Sequence, residues 1–166
     1  MSLDHIQLPA IVLQDLFTNT LVDLKTVTAP PSSFNEGNLS CLGGNKRRVT
    51  IIVAHPEVIY LPDNELNFLL GILTACKLSM ADVALLNYSK NPSVTYKHIS
   101  EQLLAEKILL FGIEPSKLEL PLQFPHYQIQ QFNNQVYLSS PGLKILSDNK
   151  EEKIKLWMCL KQVFGI

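Results

Sequence analysis

The chain has 166 residues, of which 46% are hydrophobic, and its formal net charge at pH 7 is −1. This length suffices for one domain with a substantial core plus a short appendage. The near-neutral charge argues against binding nucleic acid through broad electrostatic attraction. No apolar run approaches the roughly 20 residues that a membrane-spanning helix needs, and the N-terminal sequence MSLDHIQLPA lacks the pattern of a signal peptide.

The three cysteines, Cys41, Cys76 and Cys159, are widely separated and form no C-x-x-C pair. Their spacing argues against a zinc or redox motif. Cys76 and Cys159 fall within apolar helical patterns, where a cysteine usually behaves as a small core residue. We therefore expect a cytoplasmic protein with reduced thiols and without a metal or other cofactor.

The first 48 residues divide into two segments of different composition. Residues 1–24 contain one amphipathic helical pattern, too short to be stable in water unless it packs on something. Its apolar positions are Leu13, Leu16, Phe17, Leu21 and Leu24. Residues 25–48 are rich in Pro, Ser, Gly and Asn, which predicts a linker or a long loop.

Residues 49–166 alternate between strand and helix patterns and are predicted to form an α/β domain. Strands are expected at 49–54, 82–88 and 107–113, with helices at 64–77 and 94–105 between them. Residues 128–138 indicate a hairpin whose turn contains Asn133 and Asn134. Because successive parallel strands require right-handed crossovers, the pattern favours a three-layer sandwich with a small, mainly parallel sheet.

The last helix is predicted to begin at Asn149, which can act as an N-cap, with Glu152 three residues later. Gly165 is expected to end this helix as a C-cap. Helical spacing predicts that one face is buried, formed by Ile154, Trp157, Leu160 and Phe164.

Chemistry in an open parallel sheet is expected in the loops that follow the strands. The first such loop contains His55 and Glu57, an imidazole and a carboxylate that could act as acid and base. A histidine at this position is more commonly a loop residue that makes one hydrogen bond. The loop beginning at Asn87 has no paired acid and base, and in the third loop Gly112 is explained by close backbone packing. No G-x-G-x-x-G or P-loop sequence is present.

The loop after the last strand contains Ser139 and Ser140, followed by Pro141. A serine nucleophile needs an adjacent base, and no G-x-S-x-G elbow surrounds these serines. We interpret them as the start of a turn that leads into a helix at Leu143. His126 is interpreted as structural. A metal site formed by the histidines would require three unrelated elements to converge, which is disfavoured, so no metal ligands are assigned.

Two segments resemble the psi subunit of the bacterial DNA polymerase III holoenzyme, a clamp-loader accessory protein. The first is Leu61-Pro62 with LNFLLGILTACKLSMADVALLNY, similar to that family's L-P entry and its ILxAxxLSxxDV unit. The second is SPGLKILSDNKEEKIKLWMCLKQVFG, from Ser140 to Gly165, similar to SPxLxxLxxNxxxKxxLW. The resemblance covers roughly residues 49–164, and the order and separation of the two segments carry it.

This resemblance implies a fold related to that of the uracil-DNA glycosylases, whose corresponding loop reads His-Pro-Ser-Pro-Leu. In this chain no histidine precedes the Ser140-Pro141 pair. The first strand ends in His55-Pro56-Glu57, without the glycine-containing, acid-bearing loop of those enzymes. The groups that would stabilise charge on a departing base are therefore missing.

The resemblance also implies a non-catalytic adaptor subunit of the replicative clamp loader. An N-terminal peptide would dock on the clamp-loader ATPase subunits, and the body would bind a chi-like partner subunit where one exists. Residues 1–24 fit such a peptide, with Leu13, Leu16, Phe17 and Leu21 as partner-binding residues. Alternatively, this segment packs on its own domain. The other functional hypothesis is a divergent DNA glycosylase or nucleic-acid hydrolase that uses His55, Glu57 or Ser140.

Overall fold

A computed structural model of the chain describes residues 39–166. The predicted segment 1–24 and the first part of the predicted linker, 25–38, lie outside the described residues. The partner-binding residues Leu13, Leu16, Phe17 and Leu21 therefore lie outside them as well. Within the described part, no helix combines the length and apolar character needed to cross a membrane.

The described residues form a mixed sheet and four α-helices, so the predicted α/β class is confirmed. The strands are β1 Cys41–Leu42, β2 Val49–Val53, β3 Val83–Asn87, β4 Lys107–Phe111, β5 Ile129–Phe132 and β6 Gln135–Ser140. The helices are α1 Asp63–Ala75, α2 Tyr96–Leu103, α3 Leu143–Asp148 and α4 Lys150–Phe164. Two short 3-10 turns, Tyr88–Lys90 and Pro115–Leu118, follow β3 and β4.

The six strands lie in the order β1-β3-β2-β4-β6-β5. The four central strands are parallel, in the order β3-β2-β4-β6, and the short β1 and β5 pair antiparallel at the two edges. Asn133 and Asn134 join β5 to β6 with φ values of 52° and 61°, which confirms the predicted turn. Because the central strands are parallel, their carboxyl ends all lie at the same end of the sheet.

Buried side chains form two clusters, because successive residues of a strand point to opposite sides of the sheet. In β2, Ile51 belongs to the cluster that contains buried residues of α1, α3 and α4. Its neighbour Ile52 belongs to the other cluster, together with Ile99 of α2 and the fully buried Tyr137. The continuous apolar sequence of β2 follows from burial on both sides.

Residues 39–48, which the composition assigns to the linker, are part of the folded body. The Cys41–Leu42 strand pairs with β3, and the amides of Gly44 and Asn45 donate to the carbonyls of Met80 and Val83 at 3.1 and 3.0 Å. Such long-range pairing allows a glycine-rich stretch to be ordered although it buries little apolar area. The folded body therefore includes described residues that precede the predicted domain start at residue 49.

Both predicted ends of α4 are confirmed, but its predicted buried face is partly wrong. The side chain of Asn149 accepts hydrogen bonds from the amides of Glu151 and Glu152, and Gly165 ends the helix with φ of 68°. Ile154 is 47% exposed, whereas Leu156 is buried against the sheet at 2%. Ile154, Trp157 and Leu160 recur at intervals of three, and Leu156 and Leu160 are four apart, so the sequence pattern alone does not select the inward face. Trp157 and Phe164 are partly buried against the core.

Helical spacing in residues 94–105 predicts that Ile99, Leu103 and Leu104 point inward, but Leu104, at the end of α2, is 58% exposed. It is the C-cap residue of α2 and has a left-handed φ of 48°. This conformation ends the helix one turn past Ile99 and turns the Leu104 side chain away from the buried face. The prediction for Ile99 and Leu103 is confirmed, since both are buried.

Candidate functional site

The carboxyl ends of the central strands are the first place to search for a site. The chain passes from β2 to β3 on one side and then to β4 on the other, so the sheet has a topological switch point between β2 and β4. Open α/β sheets commonly bind ligands in the crevice at that point. Here the loop that begins at Ala54 and the loop that begins at Gly112 border the switch point.

Asn87, the last residue of β3, holds the loop that follows β2. Its side-chain nitrogen donates to the carbonyls of His55, Val58 and Ile59, at 2.7, 2.9 and 3.1 Å. Its side-chain oxygen accepts from the amides of His55 at 3.0 Å and Ser89 at 3.1 Å. The Asn87 side chain is 1% exposed and uses its hydrogen-bonding capacity on backbone groups.

His55 is paired with Glu65 of α1, whereas the sequence pattern places Glu57 beside it. Nε2 of His55 lies 3.0 Å from Oε2 of Glu65, and Glu57 is exposed. Glu65 is 9% exposed, and its Oε2 has no hydrogen bond of normal geometry within the described part of the chain. The contact joins the loop after β2 to the first turn of α1, ten residues later.

The two serines at the end of β6 have different partners. The hydroxyl of Ser140 lies 3.4 Å from the carbonyl oxygen of Leu110 and 3.3 Å from that of Pro141, so it bonds to backbone. The hydroxyl of Ser139 lies 3.0 Å from Nδ1 of His126. The sequence pattern does not predict this pair, because 13 residues separate the two positions and the contact depends on the turn before β5.

The Ser139–His126 pair resembles the beginning of a nucleophile–base arrangement, but the serine is poorly placed to attack. A nucleophile must reach its substrate, and Ser139 is 1% exposed. His126 is exposed, and the amide of its neighbour Tyr127 donates to the carbonyl of Ser139 at 2.8 Å. The arrangement fastens the turn before β5 to the end of β6.

Tyr127 also contacts α4, through a hydrogen bond from its hydroxyl to the Glu152 carboxylate. Lys155 donates to the same carboxylate at 2.8 Å. The hydrogen bond from Lys155, and then the one from Tyr127, lower the pKa of Glu152. Desolvation, followed by the bond to Glu152, raises the pKa of the Tyr127 phenol. The three side chains thus tie the turn before β5 to the first turns of α4.

The three residues of the alternative enzymatic hypothesis do not form one hydrogen-bonded group. His55 contacts Glu65, Ser140 contacts backbone carbonyls, and Glu57 makes no hydrogen bond to either within the described residues. His98 accepts from the amide of Thr95 at 3.2 Å as part of the N-terminal cap of α2. Over residues 39–166, no cluster of three or more His, Cys, Asp or Glu residues has the geometry to hold a metal ion.

An apolar groove of about 370 Å³ lies between α1 and α4. The groove depends on the packing of two helices and is not predicted from the sequence, although a glycine in the interior of α1 and the single tryptophan on α4 are signals of it. Its lining is almost entirely apolar, and Lys153 is the one charged residue that contributes to it within the described part of the chain. The lining residues are Asn67, Phe68, Gly71, Ile72, Ala75, Lys153, Leu156, Trp157 and Leu160.

In sequence comparisons the chain matched no protein-family model, and no curated protein matched it significantly. The geometry of the strand ends and of the α1–α4 groove is therefore the structural basis for a functional proposal.

Proposed function

We propose that the chain is a non-catalytic adaptor subunit of the replicative DNA polymerase III clamp loader, which acts in the cytoplasm and links the loader to a partner subunit. The observation that carries the proposal is the set of hydrogen-bond partners of the polar side chains at the strand ends. Asn87 and Ser140 bond to backbone groups, and the His55–Glu65 pair joins the loop after β2 to α1. Asn87 and Ser140 therefore maintain loop geometry, and over residues 39–166 no serine or cysteine nucleophile is hydrogen-bonded to the His55–Glu65 pair.

The fold proposed for this adaptor is a three-layer sandwich of the uracil-DNA-glycosylase type. The two buried clusters on opposite sides of the sheet support this architecture. The parallel order β3-β2-β4-β6 also supports it, because the first parallel strand along the chain lies inside the sheet, between the second and the third. Since a fold hosts many functions, the resemblance of the two sequence segments is needed to specify this one.

Binding to the clamp-loader ATPase subunits is assigned to residues 1–24. Leu13, Leu16, Phe17 and Leu21 recur at helical spacing and would enter an apolar groove of the loader as one face of an amphipathic segment. The Pro-, Ser- and Asn-containing sequence after residue 24 suits a tether between this segment and the body. A chi-like subunit is proposed as the partner of the body.

Replacing Leu16 and Phe17 together by Ala tests the assignment. We expect the tagged variant to lose the clamp-loader ATPase subunits on purification from the native cytosol, whereas its thermal unfolding stays within about 1 °C of wild type. Ile145→Ala, which truncates an apolar side chain that is 57% exposed on α3, is the matched control and should retain the ATPase subunits. A large loss of thermal stability in the double variant would place the two residues in a folded core and contradict the assignment.

The alternative is a divergent DNA glycosylase or nucleic-acid hydrolase, and the Ser139–His126 contact favours it specifically. This alternative predicts base release or hydrolysis on a panel of damaged single- and double-stranded DNAs. Activity that disappears in His126→Ala or His55→Ala would establish the enzyme and overturn the adaptor. The adaptor predicts no activity above that of a buffer control on the whole panel.

A further inference from the structure

The α1–α4 groove is a surface feature that the folding of the body does not use. Phe68 and Ile72 of α1 form one wall, and Trp157 of α4 forms the other. All three are partly buried against the core, so each presents the rest of its apolar surface to the groove. Ile154, three residues before Trp157 on α4, is 47% exposed. Contiguous exposed apolar surface of this kind commonly marks an interaction site.

Gly71 lines the groove, and packing within the body does not explain this glycine. It lies in the interior of α1, where glycine weakens a helix relative to alanine. A Cβ atom placed on Gly71 would meet no other atom within 4 Å. The body therefore has space for a larger residue there. A glycine that costs helix stability and opens onto a groove is suited to close approach by another backbone.

The charged residues around the groove favour an occupant that carries negative charge. Nζ of Lys153 lies 5.4 Å from the centre of the Phe68 ring, and Nζ of Lys161 lies 5.6 Å from the centre of the Trp157 ring. The ammonium groups of Lys153 and Lys161 thus lie over aromatic rings that line the groove. This helix carries four lysines against two glutamates, and one of these, Glu152, is held by Tyr127 and Lys155. Carboxylates on an occupant would complement these lysines.

We propose that the α1–α4 groove binds an amphipathic helix of a partner protein, with its backbone against Gly71 and its carboxylates beside Lys153 and Lys161. The apolar face of the helix would cover Phe68 and Trp157, as in other helix-in-groove interactions. This proposal deepens the adaptor function by assigning a surface of the body to a partner, and it rests on that function. A second copy fits less well, because symmetric packing would bring the lysines of two α4 helices together.

Peptide display on the intact full-length chain tests the proposal without requiring the natural partner. A library of amphipathic helical peptides of about 20 residues, long enough to form helix on binding, is selected on the wild-type chain. It is then depleted on the Gly71→Leu variant. Trp157 is the only tryptophan of the chain, so its fluorescence reports occupancy of the groove directly. We expect peptides that shift Trp157 emission and carry more acidic than basic residues.

Matched variants distinguish peptide binding in the groove from peptide binding elsewhere on the surface. Gly71→Leu should weaken the selected peptides by more than about tenfold, and Lys153→Glu should weaken them by about three- to tenfold. Glu101→Leu and Lys97→Glu make corresponding changes on α2 and should leave binding unchanged. Gly71→Ala should raise the unfolding temperature by about 3 °C, which shows that the body does not require the glycine.

Four results would overturn the proposal. The selection could give no peptide that depends on Gly71, or it could give mainly basic peptides. Peptides could bind only after Leu16 and Phe17 are changed to Ala, which would assign the groove to the chain's own N-terminal segment. Trp157 emission could change with protein concentration alone, as the chain forms a dimer. This result would assign the groove to a second copy of the chain. No clamp-loader protein is used, so failure here is distinguishable from failure of the adaptor function.

Discussion

The side chain of Asn87 forms two hydrogen bonds with the backbone of His55, one to its carbonyl at 2.7 Å and one from its amide at 3.0 Å. Asn87 ends β3, and His55 follows β2, so the pair joins two neighbouring parallel strands at their carboxyl ends, next to the switch point between β2 and β4. In many open α/β sheets, the loops at these strand ends contact a ligand. Here the buried side-chain amide of Asn87 fixes the loop after β2.

Asn87→Ala is therefore expected to destabilise the fold by about 3 kcal/mol, because three carbonyls and two amides lose a buried partner. Asn87→Asp should be at least as harmful, since a carboxylate would face the carbonyl oxygens of His55, Val58 and Ile59. Urea unfolding measures both changes. Asn64→Ala, at an exposed position of α1, should stay within about 0.5 kcal/mol of wild type, and an equal loss in this control would contradict the assignment.

Gly112 and Gly142 form a second matched pair. Gly112 has a positive φ of 70°, and a Cβ there would lie 3.2 Å from the Cα of Gly142. Gly112→Ala should therefore destabilise the protein by about 2 kcal/mol, from the left-handed conformation and the contact together. Gly142→Ala meets no atom within 4 Å and should change stability by less than about 0.5 kcal/mol. Equal denaturation midpoints for the two variants would show that the backbones do not need this close approach.

The inward face of α4 can be tested with Leu156 and Ile154. Leu156 is 2% exposed, so Leu156→Ala should cost about 3 kcal/mol through lost burial and the cavity that remains. Ile154 is 47% exposed, and Ile154→Ala should cost less than about 1 kcal/mol. Guanidinium unfolding of the two variants, compared with wild type, gives the difference. A larger loss at Ile154 would mean that α4 is rotated relative to the sheet.

Alkaline pH should weaken the fold through Tyr137, which is fully buried and donates to Oε1 of Gln135 at 2.7 Å. Burial raises the pKa of Tyr137 to about 12 from 10.0. The folded state therefore holds this proton more tightly than the unfolded state. Stability from this group is complete below pH 10 and falls as pH rises from 10 to 12.

The expected loss from Tyr137 over this interval is about 2 kcal/mol. The buried thiol of Cys76, whose pKa burial raises to about 11 from 9.0, acts in the same direction at slightly lower pH. Urea unfolding at several pH values should show a shallower alkaline decline in Tyr137→Phe than in wild type. Parallel declines in the two proteins would show that Tyr137 does not contribute.

The sequence predicts the main elements well where local pattern and tertiary burial agree. The apolar sequence of β2, the Asn149 cap of α4 and the Asn133-Asn134 turn are examples, because each depends on residues close together in the chain. The close backbone packing that the sequence predicts at Gly112 is also confirmed, because Gly112 approaches the backbone of Gly142.

The remaining features depend on contacts between distant residues. The Cys41–Leu42 strand exists through pairing with β3, more than 40 residues later. His55 contacts Glu65 instead of Glu57 because α1 returns its first turn to the end of β2. The Ser139–His126 pair and the α1–α4 groove likewise arise from packing between separate elements. Helical spacing predicted that α4 is amphipathic, but only packing decides that Leu156 faces inward.

The adaptor function is tested most directly by the binding of the purified full-length chain to purified clamp-loader ATPase subunits, followed by light scattering after size exclusion. An adaptor function predicts a stable complex for wild type and for Ile145→Ala, and free components for the variant with Ala at Leu16 and Phe17. Absence of a complex with the wild-type chain, together with base release from damaged DNA that requires His126, would contradict it.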